Sequence, residues 1–141
     1  MFRQHDPGFV LVVWKGIEFK GFMDGTYVSA ERDTDAYTKA VGATGDAARV
    51  RSRNRGGKVT LTLQQTSPTN DLLTAQQKID EISNAATGSL TVKDLLGTTL
   101  IFAEVAWIMK SAKVDFGTEL QGREWVFDCA ELDMGVGGAL V

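Results

Sequence analysis

Arginine occupies every second position of the run Arg49-Val50-Arg51-Ser52-Arg53-Asn54-Arg55. In an extended segment alternate side chains point to the same side, so this spacing predicts four guanidinium groups in one row, at Arg49, Arg51, Arg53 and Arg55. Guanidinium groups bind carboxylates and phosphates, and like charges in such a row repel each other unless an anion faces them. The run therefore predicts a surface that binds an anionic partner. A basic, solvated sheet edge that prevents aggregation is the alternative.

The side chains that catalysis and metal binding require are scarce. The single histidine, His5, lies in a leader expected to be mobile, and with the single cysteine, Cys129, it cannot form a zinc site. The pair Asp33 and Asp35 begins like a calcium loop, but Tyr37 stands at the third ligand position. The glycine-containing runs lack the spacing of a phosphate-binding loop. We therefore expect no enzyme, no metal and no cofactor.

The overall composition is typical of a globular, soluble domain. The chain has 141 residues, of which 43% are hydrophobic and 23% are charged, close to the average for such domains. No apolar run is long enough to span a bilayer, and the first residues lack the features of a secretory signal. The formal net charge of -3 disfavours non-specific binding to nucleic acids. We expect a chain without a membrane anchor that is made in a reducing cytoplasm.

A strand follows the arginine run directly. From Val59 to Leu63 apolar residues alternate with polar ones, which predicts a strand with one buried face. The other face carries hydroxyl and amide groups, at Thr60, Thr62 and Gln64.

A helix is predicted over residues 68–86. Ser67 can cap its first turn, and Pro68 suits the first helical position because the N–H that proline lacks is not needed there. Apolar residues recur at steps of three and four and should form one stripe that packs on a sheet. The stripe consists of Leu72, Ala75, Ile79, Ile82 and Ala86.

Further strands are predicted on both sides of the helix. Residues 9–14 are expected to form a strand buried on both faces, and Asp24-Gly25 is expected to join residues 17–22 and 26–32 into a hairpin. Later strands are predicted at residues 89–93, 99–110 and 122–132.

Side-chain parity assigns faces to the last two predicted strands. Within residues 99–110, one face is expected to carry Leu100, Phe102 and Glu104, and the other Ile101, Ala103, Val105 and Trp107, until the alternating pattern drifts toward the end of the strand. Within residues 122–132, Cys129 shares an inward face with Trp125 and Phe127 and is expected to be a small apolar core residue.

Residues 33–57 contain few large apolar residues and several glycines, so they predict a long extended loop. Loops longer than about 12–15 residues without structure of their own are usually functional or disordered. We favour a hairpin arm that becomes ordered only against another molecule, and a flexible insertion of no consequence is the alternative.

Together the elements predict a fold that is mainly β with one α-helix. We expect a small β-barrel or sandwich flanked by the helix, with the long extended loop beside it. A curved sheet of this kind can join copies of itself into a ring, and a closed barrel that stands alone would satisfy the same patterns.

Parts of the chain resemble the tail tube proteins of contractile-tailed bacteriophages. The resemblance runs from about Gly16 to Leu73, and three stretches carry it: Gly21-Phe22-Met23-Asp24-Gly25-Thr26-Tyr27-Val28, Val41-Gly42-Ala43-Thr44-Gly45, and Lys58-Val59-Thr60-Leu61-Thr62-Leu63-Gln64-Gln65-Thr66-Ser67. The remaining half matches in its order of strands. The resemblance implies a single tail-tube-like domain over residues 1–141, similar to the tubes of type VI secretion and of contractile bacteriocins.

The resemblance also implies a function. The chain would be a structural virion protein of a phage tail, made in the host bacterial cytoplasm, whose copies close into hexameric rings. Stacked rings would form the inner tube of a contractile tail and conduct DNA during ejection. The implied partners are other copies of the chain, the tail sheath protein outside, the tape-measure protein and double-stranded DNA in the lumen, and the baseplate and tail terminator at the ends.

By the same resemblance, residues 33–57 correspond to the loop through which one ring contacts the next. The arginines of this loop would pair with carboxylates of an adjacent subunit. The candidate carboxylates are Asp115, Glu119, Glu131 and Asp133. The polar strand face of Thr60, Thr62 and Gln64 would face the lumen.

Two alternatives to a tube subunit remain open. One is a monomeric, OB-like nucleic-acid-binding module that uses the arginine row and binds DNA in a salt-sensitive way. The other is a different ring-forming tail protein, a terminator or baseplate hub, whose single rings do not stack.

Overall fold

The computed structural model describes residues 2–140, so Met1 and Val141, which the predicted domain 1–141 includes, lie outside the described residues. The first strands are β1 Val10–Trp14, β2 Ile17–Glu18, β3 Val28–Arg32, β4 Tyr37–Val41 and β5 Ala47–Arg51. The later strands are β6 Gly57–Gln64, β7 Gly88–Asp94, β8 Leu100–Ile108, β9 Gly122–Cys129 and β10 Asp133–Gly135. The helix α1 is Thr69–Ser83, and a short 3-10 helix covers Pro7–Phe9.

Eight strands form one antiparallel sheet, in the order β2-β1-β7-β8-β9-β6-β3, with β10 paired to β8. The strands β4 and β5 pair only with each other and form a separate two-stranded sheet. The prediction of a mainly β fold with one helix is confirmed. The large sheet is open and does not close into a barrel, because its outermost strands β2 and β3 do not pair with each other.

The large sheet folds over on itself to form a sandwich. Strand β8 makes the turn, because its register against β7 shifts near its middle and its last residues pair with β9. The rings of Trp14 on β1 and Phe127 on β9 lie 5.0 Å apart, although two strands separate β1 from β9 in the sheet. The Trp14 indole N–H also donates to the carbonyl oxygen of Ala106, at 3.1 Å. The inward faces of the two halves thus pack on each other.

The space between the two halves is the hydrophobic core. Its largest fully buried side chains are Trp14, Phe127, Leu61, Leu63, Leu73, Leu90, Leu132, Val12 and Val59. Complete burial of a side chain of this size stabilises a fold by about 1.5–3 kcal/mol. In β9 the buried side chains include Trp125, Phe127 and Cys129, so the prediction of an inward, apolar Cys129 is confirmed.

The predicted hairpin at Asp24-Gly25 is wrong. Strand β3 pairs with β6, from Val28 opposite Leu61 to Arg32 opposite Gly57, and not with residues 17–22. The chain before it also contacts β6, since the N–H of Met23 donates to the carbonyl oxygen of Thr62 at 3.0 Å. Segments on both sides of the turn therefore hydrogen-bond to the same central strand. That strand offers a deeply buried apolar face, which short-range turn chemistry does not reveal.

A tight hairpin exists earlier in the chain, between the strands predicted at residues 9–14 and 17–22. Strands β1 and β2 are joined by Lys15 and Gly16, with φ of 50° and 78°. Two successive residues with positive φ are typical of the two-residue turns that match strand twist.

The helix turns its predicted apolar stripe away from the sheet, so that prediction is wrong. Leu73 is fully buried, whereas Leu72, Ile79 and Ile82 are 51%, 44% and 86% exposed. Polar contacts fix this orientation. The Asn70 side-chain oxygen accepts from the Trp125 indole N–H at 2.9 Å, and the Asn70 side-chain N–H donates to the Gln64 backbone carbonyl oxygen at 2.9 Å.

The ends of the helix also differ from the prediction. The first helical residue is Thr69, whose N–H donates to the Ser67 hydroxyl oxygen, at 3.3 Å. The last is Ser83, because Asn84 adopts a left-handed conformation with φ 56°. Ala86 is buried, but it lies beyond the helix.

The predicted faces of residues 99–110 hold only for the first half of β8. Ala103 is buried as expected, but Val105 is exposed and Ala106 is buried. The register shift against β7 inserts one residue, and a bulge of this kind exchanges the faces of the residues that follow it. Val105 therefore does not share the inward face of Ala103.

Candidate functional site

Residues 36–52 contain a hairpin that stands outside the sandwich. Tyr37 on β4 lies opposite Arg51 on β5, and Val41 lies opposite Ala47 at the tip. Every residue of both strands is exposed. The tip closes through a hydrogen bond from the N–H of Gly42 to the carbonyl oxygen of Asp46, at 2.8 Å. The hairpin is thus an arm that the rest of its own subunit does not cover.

The two faces of the arm differ in chemistry, because directly opposed residues of an antiparallel pair point to the same side. The pairs Tyr37–Arg51 and Lys39–Arg49 give one face with three cations and an aromatic ring. The Arg49 guanidinium carbon lies 4.0 Å from the centroid of the Tyr37 ring, at the distance of a cation–π contact. The opposite face is small and uncharged and consists of Thr38, Val50, Ala40 and Ala48.

The structure does not place all four predicted arginines in one row. Arg49 and Arg51 lie on β5, but the strand ends at Arg51. After it, the N–H of Asn54 donates to the Ser52 hydroxyl oxygen and the N–H of Gly56 donates to the Asn54 side-chain oxygen. These local turns end the regular alternation. Arg53 and Arg55 therefore lie in the loop that leads to β6.

The base of the arm is fastened to the sheet by polar contacts. The ammonium group of Lys58 lies 2.9 Å from the carboxylate of Asp33. The hydrogen bond and the charge of Asp33 together raise the pKa of Lys58. The Thr34 hydroxyl lies 3.3 Å from that of Ser52, which links the two ends of the arm. These contacts restrict the direction in which the arm projects.

The predicted polar residues of β6 lie on the outer face of the sheet. Thr60 and Thr62 are half-buried and alternate with buried apolar residues. The register brings further polar side chains beside them from β3 and β9. Ser29 lies opposite Thr60, Glu124 opposite Thr62, and Glu31 and Asp128 opposite Lys58. We call this the polar sheet face, and it carries three carboxylates and one ammonium group.

The four candidate acidic residues are exposed and lie in two places. Asp115 and Glu119 belong to the irregular segment between β8 and β9, and Glu131 and Asp133 lie at or just before β10. Within residues 2–140 the structure records two ion pairs, Lys58–Asp33 and Lys113–Asp115. The arginines of the arm and these carboxylates are therefore not brought together within one subunit.

Two features of the surface were missed by reasoning from the sequence. The first is the outward direction of the apolar stripe of the helix. The periodicity predicts the stripe, but we expected it to pack on the sheet. The second is Arg123, a charged residue that is only 7% exposed although it lies in a strand with a clear apolar pattern. Its parity with Trp125 and Phe127 was the available signal.

Groups that could serve in catalysis are few in the part of the chain that the structure describes. His5 is exposed, and burial raises the pKa of the Cys129 thiol to about 11. A thiol with that pKa is almost fully protonated at neutral pH and is a poor nucleophile. Across residues 2–140 there is no group of three or more His, Cys, Asp or Glu side chains placed to hold a metal ion. No helix in the same range is long and apolar enough to span a membrane.

Solved structures with this fold come from contractile injection systems. The cap that terminates the tube of the anti-feeding prophage has a TM-score of 0.65 at 10% identity and covers 96% of this chain and 94% of its own. The sheath/tube terminator of the extracellular contractile injection system PVC also has a TM-score of 0.65, at 11% identity, with 94% and 97% covered. A chain of the PVC sheath-tube complex has a TM-score of 0.63 at 12% identity, with 95% and 91% covered. At such identities these likenesses show the fold alone.

Sequence comparison identifies the family. "Structural protein ORF10" of Pseudomonas phage KPP10 is 33% identical over 120 residues, which cover 84% of this chain and 69% of that protein. The family model of the bacteriophage PhiTE tail tube protein matches residues 18–137. The chain therefore belongs to the bacteriophage PhiTE tail tube protein family and is a tail-tube-like structural protein of a phage.

Proposed function

We propose that this chain is the tube subunit of a contractile phage tail. Its copies close into hexameric rings, the rings stack into the inner tube, and the tube conducts DNA during ejection. In this role the whole chain acts as one tail-tube domain, residues 33–57 form its contact arm, and no catalysis is performed. The observation that carries the proposal is the exposure of every strand residue in the β4–β5 hairpin. A lone two-stranded hairpin is at best marginally stable in water, so contact with another molecule would stabilise it.

The arm contacts the adjacent ring. Its cationic face, with Arg49 and Arg51, meets carboxylates of the neighbouring subunit, while Arg53 and Arg55 extend the positive charge toward its base. The exposed acids Asp115, Glu119, Glu131 and Asp133 are the candidates on the other side. Charge-assisted hydrogen bonds of this kind hold the rings together and fix their rotational register.

Strand pairing between subunits closes the ring. Strand β3 is the last strand of the large sheet and pairs on one side only, with β6. An unpaired strand edge presents N–H and carbonyl groups that another chain can complete. In the proposed ring this edge is covered by the next subunit, which also explains why β3 is not shortened or capped.

The polar sheet face lines the lumen. Thr60, Thr62 and Gln64 lie at its centre, and the carboxylates of β3 and β9 outnumber its single ammonium group. A conduit must not hold its cargo, and a face without net positive charge does not bind the phosphates of DNA. The same lumen encloses the tape-measure protein before ejection.

The proposed tube also has protein partners outside it and at its ends. The tail sheath protein surrounds the tube, and the baseplate and the tail terminator close its ends. The fold supports this proposal, because chains of a sheath-tube complex and of two tube-terminating assemblies share it.

A single-ring terminator is the second candidate. The two terminating structures have TM-scores of 0.65, and the sheath-tube structure has 0.63, so the fold does not favour the tube over its end piece. A terminator forms one ring and stops there, whereas a tube subunit stacks without a fixed number of rings.

The test is the assembly of purified protein, observed by negative-stain electron microscopy and sedimentation. We expect uniform hollow tubes from the unmodified chain. The double variant R49E/R51E should give rings or monomers with an unchanged circular dichroism spectrum, because its charges then repel the opposing carboxylates. The matched control K20E/K78E changes the same net charge at exposed lysines outside the arm and should still form tubes.

Each other outcome decides against part of the proposal. Tubes of unchanged length from R49E/R51E would contradict the role of the arm. Single rings from the unmodified chain would favour the terminator. A strict monomer with salt-sensitive affinity for DNA would favour the OB-like alternative.

A further inference from the structure

Arg123 is buried without a counter-ion. Its residue is 7% exposed, and no carboxylate of residues 2–140 forms an ion pair with it. The one hydrogen bond of its side chain within that range runs from Nη1 to the backbone carbonyl oxygen of Gly122, at 3.3 Å. A guanidinium group has five N–H donors, and within residues 2–140 the one fully buried side-chain atom without a hydrogen bond is Gln77 Oε1, so the unpaired nitrogens of Arg123 still reach the surface. The other donors of Arg123 are therefore available to a ligand.

The surroundings of Arg123 form a cavity that suits an anion. The cavity has a volume of about 260 Å³. Its lining residues are Gln65, Asn70, Thr74, Ser111, Ala112, Val114, Arg123 and Trp125, and none of them is acidic. The phenyl ring of Phe116 lies beside the guanidinium, with its centroid 5.3 Å from the central carbon. An arginine whose face is covered by an aromatic ring offers its edge, where the N–H groups point.

Most polar groups of the lining already form hydrogen bonds within the subunit, and those that remain are N–H donors or hydroxyl groups. The Asn70 side chain accepts from Trp125 and donates to Gln64, and the Thr74 hydroxyl donates to the backbone carbonyl oxygen of Asn70. The Gln65 side-chain oxygen accepts from the N–H of Gln121, at 3.2 Å, which leaves its amide N–H groups. With the Ser111 hydroxyl, these groups can complete the coordination of an anion next to Arg123.

We propose that this cavity binds a carboxylate, and that the carboxylate is an aspartate or glutamate side chain of a second copy of the chain. A single cation with apolar walls at Ala112 and Val114 suits one carboxylate on a short aliphatic stem better than a phosphate, which usually gathers several cations or backbone N–H groups. The identity of the donor rests on the proposed self-assembly. The existence of the anion site does not.

The irregular segment between β8 and β9 supports a neighbouring subunit as the donor. This segment forms one wall of the cavity through Ser111, Ala112 and Val114. Val114 and Phe116 are 60% and 82% exposed in the isolated subunit. Apolar side chains grouped around a charged cavity mark a surface that becomes buried in an assembly.

The first experiment measures the anion site in the unassembled protein. Sodium acetate is titrated against sodium chloride at matched ionic strength, and the indole N–H resonance of Trp125 is followed by NMR. We expect a saturable shift with acetate that R123Q weakens at least tenfold and R123K weakens less, since lysine keeps the charge but lacks the planar fork. The control K113Q removes an exposed cation of the same segment and should titrate like the unmodified chain.

The second experiment identifies the natural donor. If it is a neighbour's carboxylate, R123Q raises the protein concentration needed for assembly at least tenfold. Acetate then inhibits assembly of the unmodified chain more than chloride does. Acetate binding with unchanged assembly of R123Q would overturn the neighbour as donor. The absence of a saturable, Arg123-dependent shift would overturn the site itself. If the unmodified chain never assembles, the proposed function fails, and the acetate titration still decides the anion site.

Discussion

Strand β6 and the β4–β5 hairpin follow each other in the chain, and both consist of extended backbone with alternating side chains. In β6 every second residue is buried, and both edges are paired, with β3 and β9. In the hairpin every strand residue is exposed, and each strand pairs only with the other. The same local conformation thus stabilises the subunit in one place and presents surface to other molecules in the next.

The difference arises from the size of the uncharged side chains. The inward face of β6 carries Val59, Leu61 and Leu63, all fully buried. The uncharged face of the hairpin carries mainly Ala40 and Ala48 with Thr38 and Val50. Each methylene group buried contributes about 0.8 kcal/mol, so a face of small residues gains little from packing on its own subunit. It does allow another surface to approach the backbone closely.

The largest difference between the two regions is expected when one apolar residue in each is truncated. Leu61→Ala should lower the free energy of unfolding by about 2–5 kcal/mol, because it leaves a cavity in the core. The matched change Val50→Ala, on the uncharged face of the hairpin, should alter it by less than about 0.5 kcal/mol. Urea denaturation of the monomer measures both. Equal losses would show that the hairpin packs on the subunit after all.

A Gly→Ala substitution in each region tests how closely the backbone is packed, and its expected effect is smaller. A Cβ at Gly57 of β6 would lie 2.7 Å from the carbonyl oxygen of Glu31, so Gly57→Ala should destabilise the subunit by about 1–3 kcal/mol. A Cβ at Gly42 near the hairpin tip would have its nearest neighbour at 3.7 Å, the carbonyl oxygen of Asp46. Gly42→Ala should therefore leave the urea midpoint almost unchanged. A loss as large as that of Gly57→Ala would mean that the tip is tightly packed.

The same contrast between exposed and buried residues exists within the helix, where substitution of an exposed stripe residue should have the smallest effect. Ile82 belongs to the outward stripe, so Ile82→Gln should change the free energy of unfolding by less than about 0.5 kcal/mol. Leu73→Ala, on the buried side of the same helix, should cost about 2–5 kcal/mol. Thermal and urea unfolding of both variants measure the contrast. A large loss from Ile82→Gln would restore the prediction that the stripe packs on the sheet.

Local patterns predicted the class of most elements correctly. The alternation from Val59 to Leu63 lies within β6, and the alternation around Trp125 lies within β9. These patterns are strong because each strand packs one face on the core and leaves the other at the surface. The pairing of the strands was harder to predict from the sequence. Asp24-Gly25 contains a glycine with φ of 91°, yet the segments around it both join β6 instead of each other.

The candidate site was also predictable only in part. The exposed arm with Arg49 and Arg51 follows from low hydrophobicity and charge spacing. The end of the row at Arg51 depends on side-chain hydrogen bonds of Ser52 and Asn54, which a periodicity does not contain. The cavity at Arg123 depends on residues from three separate parts of the chain, among them Gln65 and Ser111.

The sequence by itself determined the mainly β class, the single helix, the polar strand face of Thr60, Thr62 and Gln64 and the resemblance to tail tube proteins. These features depend on residues that are close together in the chain. Only the tertiary structure decided that the helix points its apolar stripe outward, that the sheet stays open and that Arg123 is buried without a carboxylate. Those outcomes depend on competition between distant segments for the same strand edges and the same core. The polar contacts of Asn70 orient the helix, and the bulge in β8 changes which side chains of that strand are buried. Both depend on residues that are distant in the chain, so the pattern of one segment does not predict them.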